Sequence, residues 1–341
     1  MSTQETYTPP WKRGWVQALL LLPLMLVLLW VAFRRIDLAD LWQQVCAASY
    51  FWVIMGLLLG VVSLMVRTLR WQLMLQTEVQ VRVSYLGTFY ALMVGYFANL
   101  LIPRAGEVVR CAEVARHEDT RFDIALGTVV AERLSDVLMS LLVLGVSILI
   151  SLQHFGGFVM QRMVRPVMAA WTTRTTVWLV AILLLALFLT VGLLLALRRG
   201  AFGQKLRERI YDAWDGLLKG MLTIWTMPRK WEFLLLTLLL WLLYWVNTYV
   251  VTLAIAPTEN IGLLMSLPIL AVGTFGMVVP VQGGLGSYHL AVALWLQTFG
   301  LTRAEGLTYA TLAHAPQLLL ILVLPALLYP LLRVAKGHRR G

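Results

Sequence analysis

Apolar runs about as long as a bilayer core is thick recur along this chain, and they constrain its fold more than any other feature. A membrane-crossing helix needs roughly 20 mostly apolar residues. Six stretches meet that length cleanly: 15–33, 49–66, 126–150, 176–197, 233–255 and 307–332. Only 13% of residues are charged while 60% are hydrophobic, and a soluble domain carries roughly 25% charged residues. That much apolar surface cannot be hidden in a water-soluble fold, so a soluble enzyme is excluded. Two cysteines, Cys46 and Cys111, are too few for a disulfide-stapled secreted domain, and topology sets them on opposite sides of a membrane. The first run is too long for the core of a signal peptide and no small-residue cleavage site follows it, which makes it a retained span.

Two further apolar stretches, 85–102 and 261–279, are long enough to cross but end in sequence broken by Pro and Gly, and a short segment, 287–303, follows the second break. Segment 155–167 is expected to lie along the surface or to extend a neighbouring helix. Lys and Arg concentrate on the cytoplasmic side of membrane proteins. If 85–102 and 261–303 each enter and leave by one side, 21 of the 28 Lys and Arg residues fall inside, 6 outside, and Arg133 stays within the membrane. If both cross outright, the division becomes 12 inside against 15 outside. The first arrangement is therefore expected: six full spans plus two re-entrant segments, with both termini cytoplasmic. Residues 1–14 form a cytoplasmic tail, 15–332 a single transmembrane domain and 333–341 a basic cytoplasmic tail. The net charge of +11 is then explained by anionic lipid headgroups rather than by nucleic acid.

The two breaks share a pattern. The first reads Asn99-Leu-Leu-Ile-Pro103-Arg-Ala-Gly106-Glu107, and the second Gly276-Met-Val-Val-Pro280-Val-Gln-Gly283-Gly284-Leu-Gly286. Proline removes a backbone donor and glycine permits a sharp turn, so helices should break at both. Approached from opposite faces, paired broken segments are the arrangement of an inverted-repeat transporter. Two ordinary helix–loop junctions would read the same way, because P-x-x-G is short.

Charge appears where lipid should be. The span 126–150 carries Glu132, Arg133 and Asp136. Each charge near a bilayer centre costs at least about 2.5–3.5 kcal/mol on insertion scales, so the three must face protein or water and pair. Glu132 and Asp136 are four apart, hence on one helix face, and Arg133 can reach Asp136. Arg67, Arg70 and Trp71 close the second span, while Arg104, Glu107 and Arg110 follow the first break. Guanidinium forks grip phosphate. Together these arginines can hold a phospholipid or polyprenyl-phosphate headgroup, with Glu132, Asp136 and Glu107 orienting them or exchanging protons. An internal salt-bridge clip and simple positive-inside anchoring are the competing structural explanations. His289, and His314 with Gln317 three residues on, are candidates for moving protons or for structural hydrogen bonds. Aromatic belts are expected at Trp11/Trp15, Trp225/Trp231 and Trp241/Tyr244/Trp245.

There is no Walker A loop, no H-E-x-x-H, no G-x-S-x-G and no C-x-x-C. No soluble segment exceeds about 35 residues, short of a folded catalytic domain. The longest, 198–231, reads as amphipathic and interfacial. No catalytic residue, metal site or cofactor is expected.

At these same residues the chain resembles a family. Arg67-x-x-Arg70-Trp71, Asn99-Leu-x-x-Pro103, Glu107, Arg110, Glu132-Arg133-x-x-Asp136 and Pro280-x-x-Gly283-Gly284-x-Gly286 are similar, in order and spacing, to the flippase-like transmembrane region of lysylphosphatidylglycerol synthases. The resemblance covers about 15–332. It implies a bacterial inner-membrane protein that handles an anionic or modified lipid without ATP hydrolysis. The soluble C-terminal domain that transfers lysine from tRNA in the two-domain synthases is expected to be missing here. The family often carries Glu after the second glycine motif, where this chain has His289. Two other functions fit the same residues: an intramembrane transferase using a lipid-linked donor, with Glu107 or Asp136 as base, and a scaffold that docks a separate soluble lipid-modifying enzyme through its basic loops.

Overall fold

The computed structural model describes residues 10–34, 36–79, 83–118, 120–160 and 227–340. The expected span 176–197, the basic stretch 198–226 and chain ends 1–9 and 341 lie outside the described residues. Among the described residues every regular element is helical: α1 (Pro10–Phe33), α2 (Leu38–Cys46), α3 (Tyr50–Val79), α4 (Tyr85–Leu101), α5 (Gly106–His117), α6 (Phe122–Ile150), α7 (Leu152–Val159), α8 (Lys230–Thr252), α9 (Leu263–Val278), α10 (Ser287–Leu296) and α11 (Arg303–Arg340), with 3-10 turns at Ala256–Thr258, Gln282–Gly284 and Gln297–Phe299. Four of these helices contain a stretch long and apolar enough to cross a membrane: Tyr50–Thr77, Phe122–Ile150, Lys230–Thr252 and Arg303–Val334. Their outward side chains are apolar, with Leu142, Leu149, Leu235 and Leu319 all more than half exposed, as a lipid-facing surface requires. The chain is an all-α polytopic membrane protein.

It divides into two compact units, 1–151 with 227–341, and 152–226. In the second, the described element is α7, which begins the expected segment 155–167.

Within the first unit an order of elements occurs twice. A long helix is followed by a broken helical hairpin and then by another long helix: α3, α4–α5, α6, and again α8, α9–α10, α11. In each hairpin the two arms pack together, and the second arm packs on the long helix that follows it. Across the unit, α4 meets α11 just as α9 meets α6, while α3 and α8 form the broadest helix pair. That pair is antiparallel, since Arg70 lies opposite Thr237, Arg67 opposite Tyr244, and Gly56 opposite Val251.

Lipid supplies no hydrophobic force between helices, so close packing must hold them together, and small residues allow it. The arms of the first hairpin touch through Gly95 and Gly106, whose backbones leave no room for a Cβ at Gly106. In the second hairpin Gly273 packs on Tyr288, and Gly276 on Tyr288 and Ala291.

Both breaks form where Pro and Gly predict them. The first is fastened by side chains: Asn99 Oδ1 accepts from the Gly106 amide at 2.7 Å. At the hairpin's base Ser84 caps α4, and Glu118 accepts from the Ser84 amide at 2.8 Å. The second break relies on backbone freedom, with Gly283, Gly284 and Gly286 all at positive φ. The two breaks touch. Leu100 and Leu318 abut Gly283, and Arg104 Nη2 donates to the Val278 carbonyl at 3.3 Å.

A buried arginine–carboxylate cluster at the first hairpin

The helix α3 does not end near Val66 as hydropathy alone suggests but continues to Val79. Arg67 and Arg70 therefore lie inside a helix rather than at its end, and both turn inward. Arg70 is fully buried and Arg67 nearly so. Their partners come from α6. Arg67 Nη2 lies 2.8 Å from Glu132 Oε1 and 3.0 Å from Asp136 Oδ2. Arg70 Nη2 lies 3.1 Å from Glu132 Oε1, and its Nη1 2.8 Å from Asp136 Oδ1. The i,i+3 spacing of the arginines presents two guanidiniums to the i,i+4 spacing of the acids, so two helix faces interlock.

A third arginine arrives from the first hairpin. Arg110 Nη1 lies 3.0 Å from Glu132 Oε2, and its guanidinium carbon sits 4.7 Å from the centre of the Trp71 ring. Trp71 is held in turn by its Nε1, which donates to Thr128 Oγ1 at 3.0 Å. Glu132 is thus fully buried and shared by three guanidiniums. Tyr244 and Thr237 of α8 complete the surround, the first accepting from Arg67 Nη1 at 3.1 Å and the second from Arg70 Nη1 at 3.4 Å. Tyr244 was expected in an interfacial belt; it points to the cluster instead. Thr237 and Tyr244 are seven apart, two turns on one face of an apolar span, which is the sequence signal that identifies them.

Arg133 sits at the edge of the cluster, 40% exposed, with Nη2 3.5 Å from Glu107 Oε1 and Nη1 3.9 Å from Asp136 Oδ2. Glu107 lies in the first turn of α5, where the helix dipole favours a carboxylate. Between these groups is a narrow crevice with room for about one water molecule, lined by Tyr96, Asn99, Gly106, Glu107, Arg110 and Arg133 among others. Arg110 contributes something further: its Nε and Nη2 are buried without a hydrogen-bond partner.

The remaining expected residues divide by position. Arg104 is exposed and reaches across to the second break rather than into the crevice. Pro103 and Gly106 shape the first break, and Pro280, Gly283, Gly284 and Gly286 the second. His289 and His314 come together on α10 and α11, apart from the arginine cluster, with ring centres 5.2 Å apart. Gln317 packs against Gly60 of α3. Among the described residues no group of three or more His, Cys, Asp or Glu is arranged to hold a metal.

No curated protein and no solved structure matches the chain. Residues 15–324 match the family described as the lysylphosphatidylglycerol synthase TM region. That match runs from within α1 to within α11 and includes both breaks and every residue of the arginine–carboxylate cluster. The chain belongs to the lysylphosphatidylglycerol synthase TM region family, as a polytopic membrane protein.

Proposed function

We propose that this protein moves a lipid with an anionic phosphate headgroup between the leaflets of a bacterial inner membrane, without ATP hydrolysis. The observation that carries the reading is Arg110. A guanidinium out of water normally has all its donors engaged, yet two of its nitrogens are unpartnered beside a crevice. Formal charge agrees with this. Arg67, Arg70, Arg110 and Arg133 exceed Glu107, Glu132 and Asp136 by one positive charge, and a phosphate oxygen would satisfy both the charge and the open donors. Arg67 and Arg70 set the position of Glu132 and Asp136, Arg110 and Arg133 face the headgroup, and Asn99 holds the crevice wall. The family description favours a phosphatidylglycerol-type headgroup; a polyprenyl phosphate offers the same chemistry.

The twofold recurrence of helix, broken hairpin and helix, with α3 antiparallel to α8, supports an inverted repeat in which the hairpins enter from opposite faces. In this topology six full spans cross within 15–332, tails 1–14 and 333–341 are cytoplasmic, and Cys46 faces outward. The protein acts as a carrier rather than as an enzyme, because Glu132, which is fully buried, and Asp136 are both engaged by arginines. A soluble lipid-modifying enzyme is its natural source of cargo.

Purified protein in phosphatidylglycerol–phosphatidylethanolamine vesicles should accelerate translocation of a fluorescent phosphatidylglycerol. Arg110→Gln should lose most of that acceleration, and Arg110→Lys should recover little, since an ammonium lacks the fork. Full activity in Arg110→Gln would overturn the reading. Cys46, which is exposed, should react with an impermeant maleimide in intact spheroplasts; protection there would reverse the topology.

A further inference from the structure

The second hairpin holds a buried imidazole pair at the place where the first holds an ion pair. Arg110 links α5 to Glu132 of α6; His289 links α10 to His314 of α11, the same two positions in the repeated order. His289 is 5% exposed and His314 4%. Their rings are 5.2 Å apart between centres, and the Tyr288 ring packs on both, at 5.8 Å and 5.0 Å. Phe33 of α1 covers His289 from the other side at 6.0 Å. His314 hydrogen-bonds to the backbone of Gly283, inside the break itself. Each ring keeps an Nδ1 that is buried and without a partner.

Among the described residues the surroundings hold no fixed counter-charge. The ionisable groups next to the pair are Tyr288 and, beyond it on α11, Tyr309, whose hydroxyl donates to the Thr248 carbonyl. The α9 arm, Leu263–Val278, contains no ionisable residue, α3 approaches α11 through Gly60, and α4 meets the break through Leu100. Of the nearby arginines, Arg34, just past α1, lies over the Trp30 ring, and Arg303, which opens α11, donates to the Val31 carbonyl.

We propose that the His289–His314 pair is a proton-binding site, and that proton uptake turns the second hairpin into a transient cationic counterpart of the Arg110 site. The step is a simple protonation. An Nδ1 lone pair takes a proton from water reaching one side of the break and returns it to water on the other, and no bond in the lipid changes. Charging an imidazole with no carboxylate beside it is unfavourable in the closed packing, so uptake favours an open, hydrated break. The three positive-φ glycines give that segment the freedom to open. The headgroup, leaving the permanent charge of Arg110, then finds a second positive site that disappears when the proton leaves. Lipid movement is thereby coupled to proton movement. This rests on the headgroup reading above.

The test uses the full chain in the same vesicles, from about pH 5 to 8. Translocation of the fluorescent phosphatidylglycerol by the wild type should rise several-fold toward acid. His289→Gln and His314→Gln should each abolish that rise, and a wild-type pH profile in both variants would overturn the coupling while leaving the headgroup reading intact. If the wild type moves no lipid at any pH, the headgroup reading fails, and the proton site is decided separately by nitrogen-15 imidazole spectra of the wild type in nanodiscs. Two imidazoles that titrate together, with each signal removed by its own substitution, support the site. Imidazoles that stay neutral across the range overturn it.

Discussion

The two broken hairpins share a plan and are held by different forces. The first is fastened by polar contacts: Ser84 to Glu118 at the base, Asn99 to Gly106 at the tip, and Arg110 to Glu132 at its flank. The second has no ionisable residue in its first arm, turns through three left-handed glycines, and meets its long helix through a pair of imidazole rings. In a membrane this difference matters more than it does in water. A buried ion cluster has only one well-satisfied geometry, because any helix shift strands a charge in hydrocarbon. The two hairpins therefore differ in what fixes them: buried charge pins the first, and glycine turns with ring packing shape the second.

The sharpest way to break that comparison is to remove one group from the centre of each half. Glu132→Gln leaves three guanidiniums without their shared acid, and a broken buried ion pair typically costs about 3–5 kcal/mol. His314→Gln removes one hydrogen bond and some packing, about 1 kcal/mol. Thermal unfolding of detergent-purified protein should show a large loss for the first and a small one for the second. Equal losses would mean the halves are not held differently.

Glycine substitutions probe the same contrast more gently. A methyl at Gly106 meets the Gly95 carbonyl and the Asn99 amide, in a place where the backbone is already pinned by the Asn99 hydrogen bond. Overpacking of this kind costs about 1–3 kcal/mol. At Gly276 a methyl would lie 3.1 Å from the Ala291 Cβ and from the Tyr288 Cα, a tight contact but a longer one than those at Gly106. Gly106→Ala should therefore lower the unfolding temperature more than Gly276→Ala. The reverse order would assign the tighter crossing to the wrong hairpin.

Much of this was legible in the sequence, and what was not has physical causes. Four long apolar helices and the two breaks could be read because hydropathy and Pro/Gly chemistry are local. The end of α3 could not: Arg67 and Arg70 stop a hydropathy window, and only the acids 62–69 residues away explain why the helix runs on past them. The intramembrane charges were visible, as was the helix face shared by Glu132 and Asp136, but which arginines would saturate Glu132 depends on how α3, α5 and α6 pack. For the same reason Arg104, placed near a break by sequence, turns to the opposite hairpin. The meeting of His289 and His314 was hidden because it depends on how α10 lies on α11, and the Tyr244 contact because a tyrosine in an apolar span resembles a belt residue.

Arg104 gives the smallest effect and the most specific one. It is the one non-glycine residue at positive φ among the described residues, with φ 65°, a conformation that disfavours a side chain by roughly 1–2 kcal/mol. In the second break the positive-φ positions are all glycine. Arg104→Gly removes the strain and the contact to the Val278 carbonyl, whereas Arg104→Ala removes the contact and keeps the strain. The glycine variant should exceed the alanine variant in stability by about 1 kcal/mol, and wild type should exceed alanine by less, since an exposed hydrogen bond contributes about 0.5–1.5 kcal/mol at most. If glycine is also the most stable of the three, the first tip retains arginine at a cost to folding. The reason then has to lie in what its guanidinium touches: the Val278 carbonyl at the end of α9, where it joins the first hairpin to the second.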